Sequence, residues 1–390
     1  MVRYSALGVL SLALALFGFD GADSPSPAVA ADGDPPAAAV VSEKELAELD
    51  RQIAAREKEL SELKAKAAAW HDAQANAFWK KAEPEKLGLD ARAVERHREH
   101  AQRSGADAVL VVYKGRIVSE WYSARYKEPI VTMSSVKSWT GLLVGMLIAD
   151  GKIKSVDDPV SDYLPEWKEG EKAKVTVRHL LTMTSGLKRR LGKVPGPDLS
   201  VGYAGPDKNP FVLKLPLTYK AGERWEYTNE GVQLLSPLLD KAAGRPIQDY
   251  ARDRLFKPVG MSPRTRLKVD GQGHAWTFAD AATTLRDFTR IGVLMLNKGR
   301  WGDTQVVPEK WVSESTRPCP QEKSYGYLWW LLDDPPGFCT KGYKDTNCYV
   351  FPSLDLVVAR MQNSPTPEGA VDYEPAGLKL VKAIVPPRRP

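Results

Sequence analysis

Residues 133–151 read MSSVKSWTGLLVGMLIADG. Two serines and a lysine stand ahead of an uncharged apolar run, which predicts a buried helix with polar residues at its start. Ser134 lies three residues before Lys137 and Ser135 only two. Side chains three apart share a helix face, so Ser134 is the serine whose hydroxyl the amine reaches, and Ser135 is left to pack or cap. Ser-x-x-Lys also occurs at Ser61/Lys64 and Ser185/Lys188. Ser61 sits in a highly charged stretch, and Gly186 ends the segment that carries Ser185. Only Ser134 opens a helix that then turns apolar.

That position has chemical consequences. Backbone N–H groups at a helix N-terminus lack intrahelical partners and carry the positive end of the dipole. A lysine buried beside them has its neutral form favoured and can accept a proton from a hydroxyl. A second polar pair, Tyr227 and Asn229, lies in AGERWEYTNEGVQLL, a tight loop before a helix. Tyrosine can relay a proton and the amide can hold a lysine or a carbonyl, although an aromatic plug with a capping Asn reads equally simply. A third element, Thr340-Lys341-Gly342, ends a strand before a turn, where glycine lets a substrate approach and a backbone N–H can face an oxyanion.

Outward from these motifs the chain divides into four parts. Met1-Val2-Arg3, the uncharged stretch Tyr4 to Phe19 and the small residues Ala28-Val29-Ala30 read as a secretory signal peptide over residues 1–30. A Pro/Ala-rich linker follows at 31–42. Over 43–82, Leu46, Leu49, Ile53, Leu60, Leu63, Ala67 and Trp70 recur on steps of three and four, broken at Arg56. This predicts an amphipathic helix or short coiled coil, a route to self-association, with Trp70, Phe78 and Trp79 docking its end. Residues 87–390 form the globular part. A helix at 91–103 and a hairpin of Ala108–Tyr113 with Ile117–Tyr122 open it. Residues 175–300 are mostly helical. Strands return at Tyr325–Leu332, Gly337–Gly342 and Cys348–Met361, before a helix at Ala376–Ile384. Strands at both ends with helices between predict an α+β fold: one antiparallel sheet flanked by helices, with an inserted helical region.

Composition narrows the function. The 55 basic and 49 acidic residues nearly cancel to a formal +6, and no basic block interleaved with aromatics supports nucleic-acid binding. His71, His97, His100, His179 and His274 are scattered without metal-ligand spacing, so neither metal nor cofactor is expected. Export would place Cys319, Cys339 and Cys348 in an oxidising compartment. Cys339 and Cys348 flank a turn and suggest a local bridge, with pairing to Cys319 left open.

The three motifs, in this order, resemble those of penicillin-interacting serine enzymes, in the branch of class C β-lactamases, DD-peptidases, esterases and nylon-oligomer hydrolases. The resemblance extends over Asp157-Asp158-Pro159-Val160, Tyr163–Trp167, Val177–Leu187, Leu285–Pro308 and Tyr325–Trp330, and covers roughly Ala106 to Met361. It implies that Ser134 is the acylated nucleophile, Lys137 its proton acceptor, Tyr227 the acid/base on the leaving-group side and Asn229 an orienting amide. The oxyanion hole would be the backbone N–H groups of Ser134 and Tyr343. Thr340, Lys341 and Gly342 would line the substrate site.

The chain departs from the pattern at Thr340, where many relatives carry a lysine or histidine. A threonine brings no charge for an anionic substrate group, and Lys341 alternates to the other strand face. The expectation is therefore a secreted or periplasmic serine hydrolase acting on an ester or amide, small or peptidic and of cell-wall origin in one version, rather than a true β-lactamase. Arg189, Arg190 and Tyr203 are candidates for its substrate pocket. The competing reading is a non-catalytic envelope or peptidoglycan-binding protein that keeps the fold.

Overall fold

The computed structural model describes residues 42–187 and 208–385. The expected signal peptide and all of the linker but Ser42 lie outside the described residues, as do Arg189, Arg190 and Tyr203. The chain divides into two units, Met1–Leu60 and Ser61–Pro390.

Helix α1 spans Glu43–Ala77. Its start is a reciprocal cap: Glu45 N donates to Ser42 Oγ at 3.3 Å, and Ser42 N donates to Glu45 Oε2 at 2.8 Å. Ion pairs three residues apart, Arg51–Glu48 at 3.2 Å and Arg56–Glu59 at 2.8 Å, line its polar surface. The seam residues Leu46, Leu49, Ile53, Leu60 and Leu63 are exposed. Beyond α1, Phe78 packs on Trp301 at 4.2 Å between ring centroids, and Arg290 lies 5.2 Å over Trp79. Phe78 and Trp79 thus dock as expected; the side chain of Trp70 lies outside those described.

The second unit is built on a seven-stranded sheet. In chain order its strands are β1 (Lys80–Lys81), β2 (Ala108–Tyr113), β3 (Arg116–Tyr122), β4 (Trp330–Asp333), β5 (Pro336–Thr340), β6 (Asn347–Phe351) and β7 (Leu356–Met361). They lie side by side as β1-β3-β2-β7-β6-β5-β4. The expected antiparallel pairing holds for every neighbour except β1, which runs parallel to β3 and makes the sheet mixed. N- and C-terminal strands meet where β2 pairs with β7, Val111 opposite Val358.

Two expected strands are corrected. Cys348–Met361 is a hairpin, broken at Pro352–Leu354 and at Asp355 with φ 51°. Proline removes a ladder donor there and Asp355 turns the chain back. Tyr325–Leu332 is extended only from Trp330, because Leu328 has φ 61°.

Both faces of the central strands are buried, which is why they read as near-continuous apolar runs. On β2, Leu110 and Val112 enter one core while Val109 and Val111 enter the other. The first core packs under α3 (Val136–Ala149) and α5 (Leu285–Leu296). The second lies under α2 (Ala91–Arg103), capped by the Asp90 carboxylate on Arg92 N and Ala93 N, and α6 (Ala376–Ile384). The same alternation rules out the suggested Cys339–Cys348 bridge. Cys348 pairs with Thr340, so Cys339 is one residue out of register and points to the other core; all three cysteines are free thiols.

The apolar helix α3 is seated by Gly141, where a Cβ would lie 3.0 Å from Tyr327 O, and by Gly145. A Cβ on Gly145 would lie 2.2 Å from the Trp311 indole. Gly145→Ala should therefore destabilise the domain by about 1–3 kcal/mol through overpacking, seen as a lower urea midpoint. An unchanged midpoint would mean that Trp311 can move aside without cost.

Candidate active site

The opening motif forms a turn and then a helix. Met133–Ser135 is a single 3₁₀ turn running into α3, and Met133 holds φ 50°. A left-handed, non-glycine residue is costly and persists only when its neighbours over-determine it. Here they do: Thr132 N donates to Ala281 O at 2.9 Å, Ala281 N to Thr132 Oγ1 at 3.1 Å and Asp280 N to Met133 O at 3.1 Å. Ile130–Val131 also pairs with Ala282–Thr283 as a short antiparallel ladder. The two serines then separate as their register predicts. Ser135 is buried and donates to Thr346 O, whereas Ser134 is partly exposed and 3.0 Å from Lys137 Nζ.

Lys137 is 2% exposed. Its amine also donates to Phe278 O at 2.6 Å and lies 5.0 Å from the Tyr227 ring centroid. Burial pulls its pKa below the ordinary 10.5, opposed by the Tyr227 hydroxyl, Glu230 and Asp280, which favour the charged form. A neutral amine here donates one N–H to Phe278 O and can turn its lone pair to the Ser134 hydroxyl.

Tyr227 precedes α4 (Asn229–Gln233). Thr228 caps that helix, its hydroxyl accepting from Gly231 N at 3.4 Å, so capping does not fall to Asn229. The loop is held down by Glu226 N on Met183 O at 3.0 Å and Gly222 N on Thr184 O at 2.8 Å. Tyr227 is half-buried, stacked on Trp330 at 6.2 Å and 26°. Trp225 and Tyr325 complete an aromatic wall around Trp330, at 6.0 and 5.0 Å. Of the Trp329-Trp330 pair, Trp329 is fully buried against Phe338 and Trp330 faces this wall.

The third element sits against the nucleophile turn. A Cβ on Gly342 would lie 2.7 Å from Thr132 O and from Thr346 O, and 3.1 Å from Met133 Cβ. Only glycine lets the two backbones come this close. Tyr343, at the start of the turn Tyr343–Asp345, is 72% exposed. Thr340 is fully buried, its hydroxyl accepting from Cys348 N at 2.9 Å. Lys341 pairs with Glu374 at 2.8 Å, 5.6 Å from the Trp330 centroid. The structure thus brings Ser134, Lys137, Tyr227 and Gly342 together, while the Thr340 side chain is spent on the sheet.

Several contributors escaped the sequence reading. Phe278 acts through a carbonyl, which no side-chain motif announces. Glu230, 1% exposed, follows Asn229 directly, and that adjacency was the available signal. Asn347 accepts from Gly342 N at 3.0 Å and donates to Tyr349 Oη at 2.7 Å, holding the third element from behind. His97 and His100 have a structural use: both contact Tyr373, at 2.6 Å to its hydroxyl and 3.0 Å to its carbonyl oxygen. A cavity of about 500 Å³ lined by Arg178, His179, Thr184 and Arg317 includes none of the four motif residues.

Comparisons with known proteins place the chain in a family. A family model described as Beta-lactamase matches residues 91–382. The 6-aminohexanoate-dimer hydrolase of Paenarthrobacter ureafaciens is 23% identical over 297 residues, covering 69% of this chain and 76% of that protein. The N-acetylmuramyl-L-alanine amidase of Bacillus subtilis (strain 168) is 30% identical over 343 residues, covering 66% and 76%. Among solved structures, a penicillin binding protein from Bacillus halodurans matches with a TM-score of 0.59 at 16% identity, over 73% of this chain and 98% of that one, a likeness of fold.

Proposed function

The chain belongs to the β-lactamase family, and from that premise we propose that it is a secreted serine hydrolase that cleaves an ester or amide other than a β-lactam through an acyl-enzyme. The contact between Lys137 Nζ and Ser134 Oγ, 3.0 Å apart at a strained helix start, carries this reading.

In the proposed cycle Ser134 Oγ attacks the carbonyl carbon while its proton passes to the neutral Lys137 amine. The N–H groups of Ser134 and Tyr343 receive the developing oxyanion, each donor contributing about 3–4 kcal/mol in comparable sites. Tyr227, in contact with Lys137, delivers the proton to the leaving group. Water then attacks the acyl-enzyme by the reverse proton path and frees Ser134. The buried Thr340 hydroxyl and the Glu374-bound Lys341 support an acyl group without an anionic handle at this strand.

The test is mass spectrometry of the protein after exposure to short-chain nitrophenyl esters, D-Ala-D-Ala peptides and β-lactams. Transient acylation by esters or peptides, with β-lactams slow or silent, is the expected pattern. Rapid β-lactam turnover would overturn the specificity. No acylation by any of them, with retained binding to peptidoglycan fragments, would favour a binding protein.

A further inference from the structure

Behind the third element lies a charged group that the proposed cycle does not use. Arg360, on β7, is fully buried. Its Nη1 donates to Lys344 O at 2.6 Å and Asp345 O at 3.0 Å. Its Nη2 donates to Ser104 O at 2.8 Å, Ser104 Oγ at 2.9 Å and Gln362 Oε1 at 2.8 Å, and Nε donates to Ser104 Oγ at 3.2 Å. One guanidinium thus bridges the turn after Gly342 and the end of α2.

The turn needs such a clamp. Lys344 and Asp345 hold φ 58° and 53°, two successive left-handed residues that are not glycine. Such a conformation relaxes unless its surroundings over-determine it. The carbonyls that point inward as a result are the two that Arg360 binds. A buried charge is expensive to keep where an apolar side chain would fill the space, unless its hydrogen bonds do something an apolar group cannot.

We propose that Arg360 is a positioning residue for the oxyanion hole: by gripping Lys344 O and Asp345 O it holds the Tyr343 N–H at the angle the transition state requires. The inference rests on the acyl-enzyme reading above. Arg360 touches no reacting atom. A lysine cannot replace it, since one ammonium lacks the planar fork that reaches both sides.

Arg360→Lys, Arg360→Met and the milder Ser104→Ala test this by active-site titration with a fluorophosphonate, ester kinetics and affinity for a boronic acid that forms a tetrahedral adduct. Both Arg360 variants should lose about 100-fold in acylation rate per titrated site, as expected for a misplaced oxyanion donor, with KM within about threefold. Boronate affinity should fall in parallel, and Ser104→Ala should lose about tenfold, since it removes the hydroxyl that accepts from Nη2 and Nε but keeps the Ser104 carbonyl and the grip on the turn. A merely structural role would lower the number of titratable sites and leave the rate per site and the boronate affinity unchanged; that result overturns the proposal. If the Arg360 variants do not fold, an unchanged rate per site in Ser104→Ala overturns it. Absence of acylation in the unmodified protein removes the acyl-enzyme reading itself, and this inference with it.

Discussion

Ser134→Ala is expected to lose about 10³-fold or more in ester hydrolysis, because the nucleophile and its proton acceptor work as one unit and removing either costs nearly the whole of their contribution. The geometry gives little room for a substitute. Ser135 is buried and its hydroxyl is engaged by Thr346 O. Ser138 is buried and donates to Leu328 O at 2.6 Å. Ser135→Ala, which loses only that hydrogen bond, should cost about 1 kcal/mol of stability and less than tenfold in rate. Parallel assays of the two variants on a nitrophenyl ester separate these cases. Equal losses would mean that the register argument for Ser134 is wrong.

Lys137→Met carries the second large effect, again about 10³-fold in acylation, because no other base lies against Ser134 Oγ in the described contacts. Its pH signature is more specific. Burial favours the neutral amine, so the acylation rate should rise with pH and level off below the ordinary lysine value of 10.5. Stability follows with a definite sign. The unfolded chain holds the Lys137 proton up to about 10.5, whereas the folded chain releases it at lower pH. Between those two values the unfolded state binds more protons, so unfolding free energy rises with pH across that window. Below the folded value the cost of the buried lysine is present in full, and above 10.5 it vanishes. The stability of Lys137→Met relative to the parent should therefore be greatest at the low end of the pH range and decline as pH approaches 10.5. Urea midpoints measured from pH 6 to 10.5 check this; a difference that does not change with pH would mean that Lys137 titrates as a free lysine.

What the sequence made legible follows from which interactions are local. The 91–103 helix and the β2–β3 hairpin are encoded by neighbouring residues, and both appear as predicted; the Asp90 cap that starts the helix is equally local but was not read. Separation of Ser134 from Ser135 was readable because helix register is a local property. The break in Cys348–Met361 was signalled by Pro352, which a continuous apolar pattern on either side concealed. The disulfide suggestion failed because chain proximity across a turn says nothing of face, and one residue of register sends Cys339 and Cys348 to opposite cores. Phe278 O and the strap at Asp280–Ala282 reach the nucleophile turn from over 130 residues away, through backbone atoms that carry no residue signature. The Arg360 clamp was hidden for the same reason: its partners are carbonyls, and their need for a donor arises from backbone angles at Lys344 and Asp345.

The central claim, that Ser134 is acylated with help from Lys137, is tested most directly by peptide mapping of the adduct left by a fluorophosphonate. The account predicts one adduct, on Ser134, absent from Ser134→Ala and much slower to form in Lys137→Met. An adduct on Ser135 or elsewhere, or equal labelling of Ser134→Ala, would contradict it.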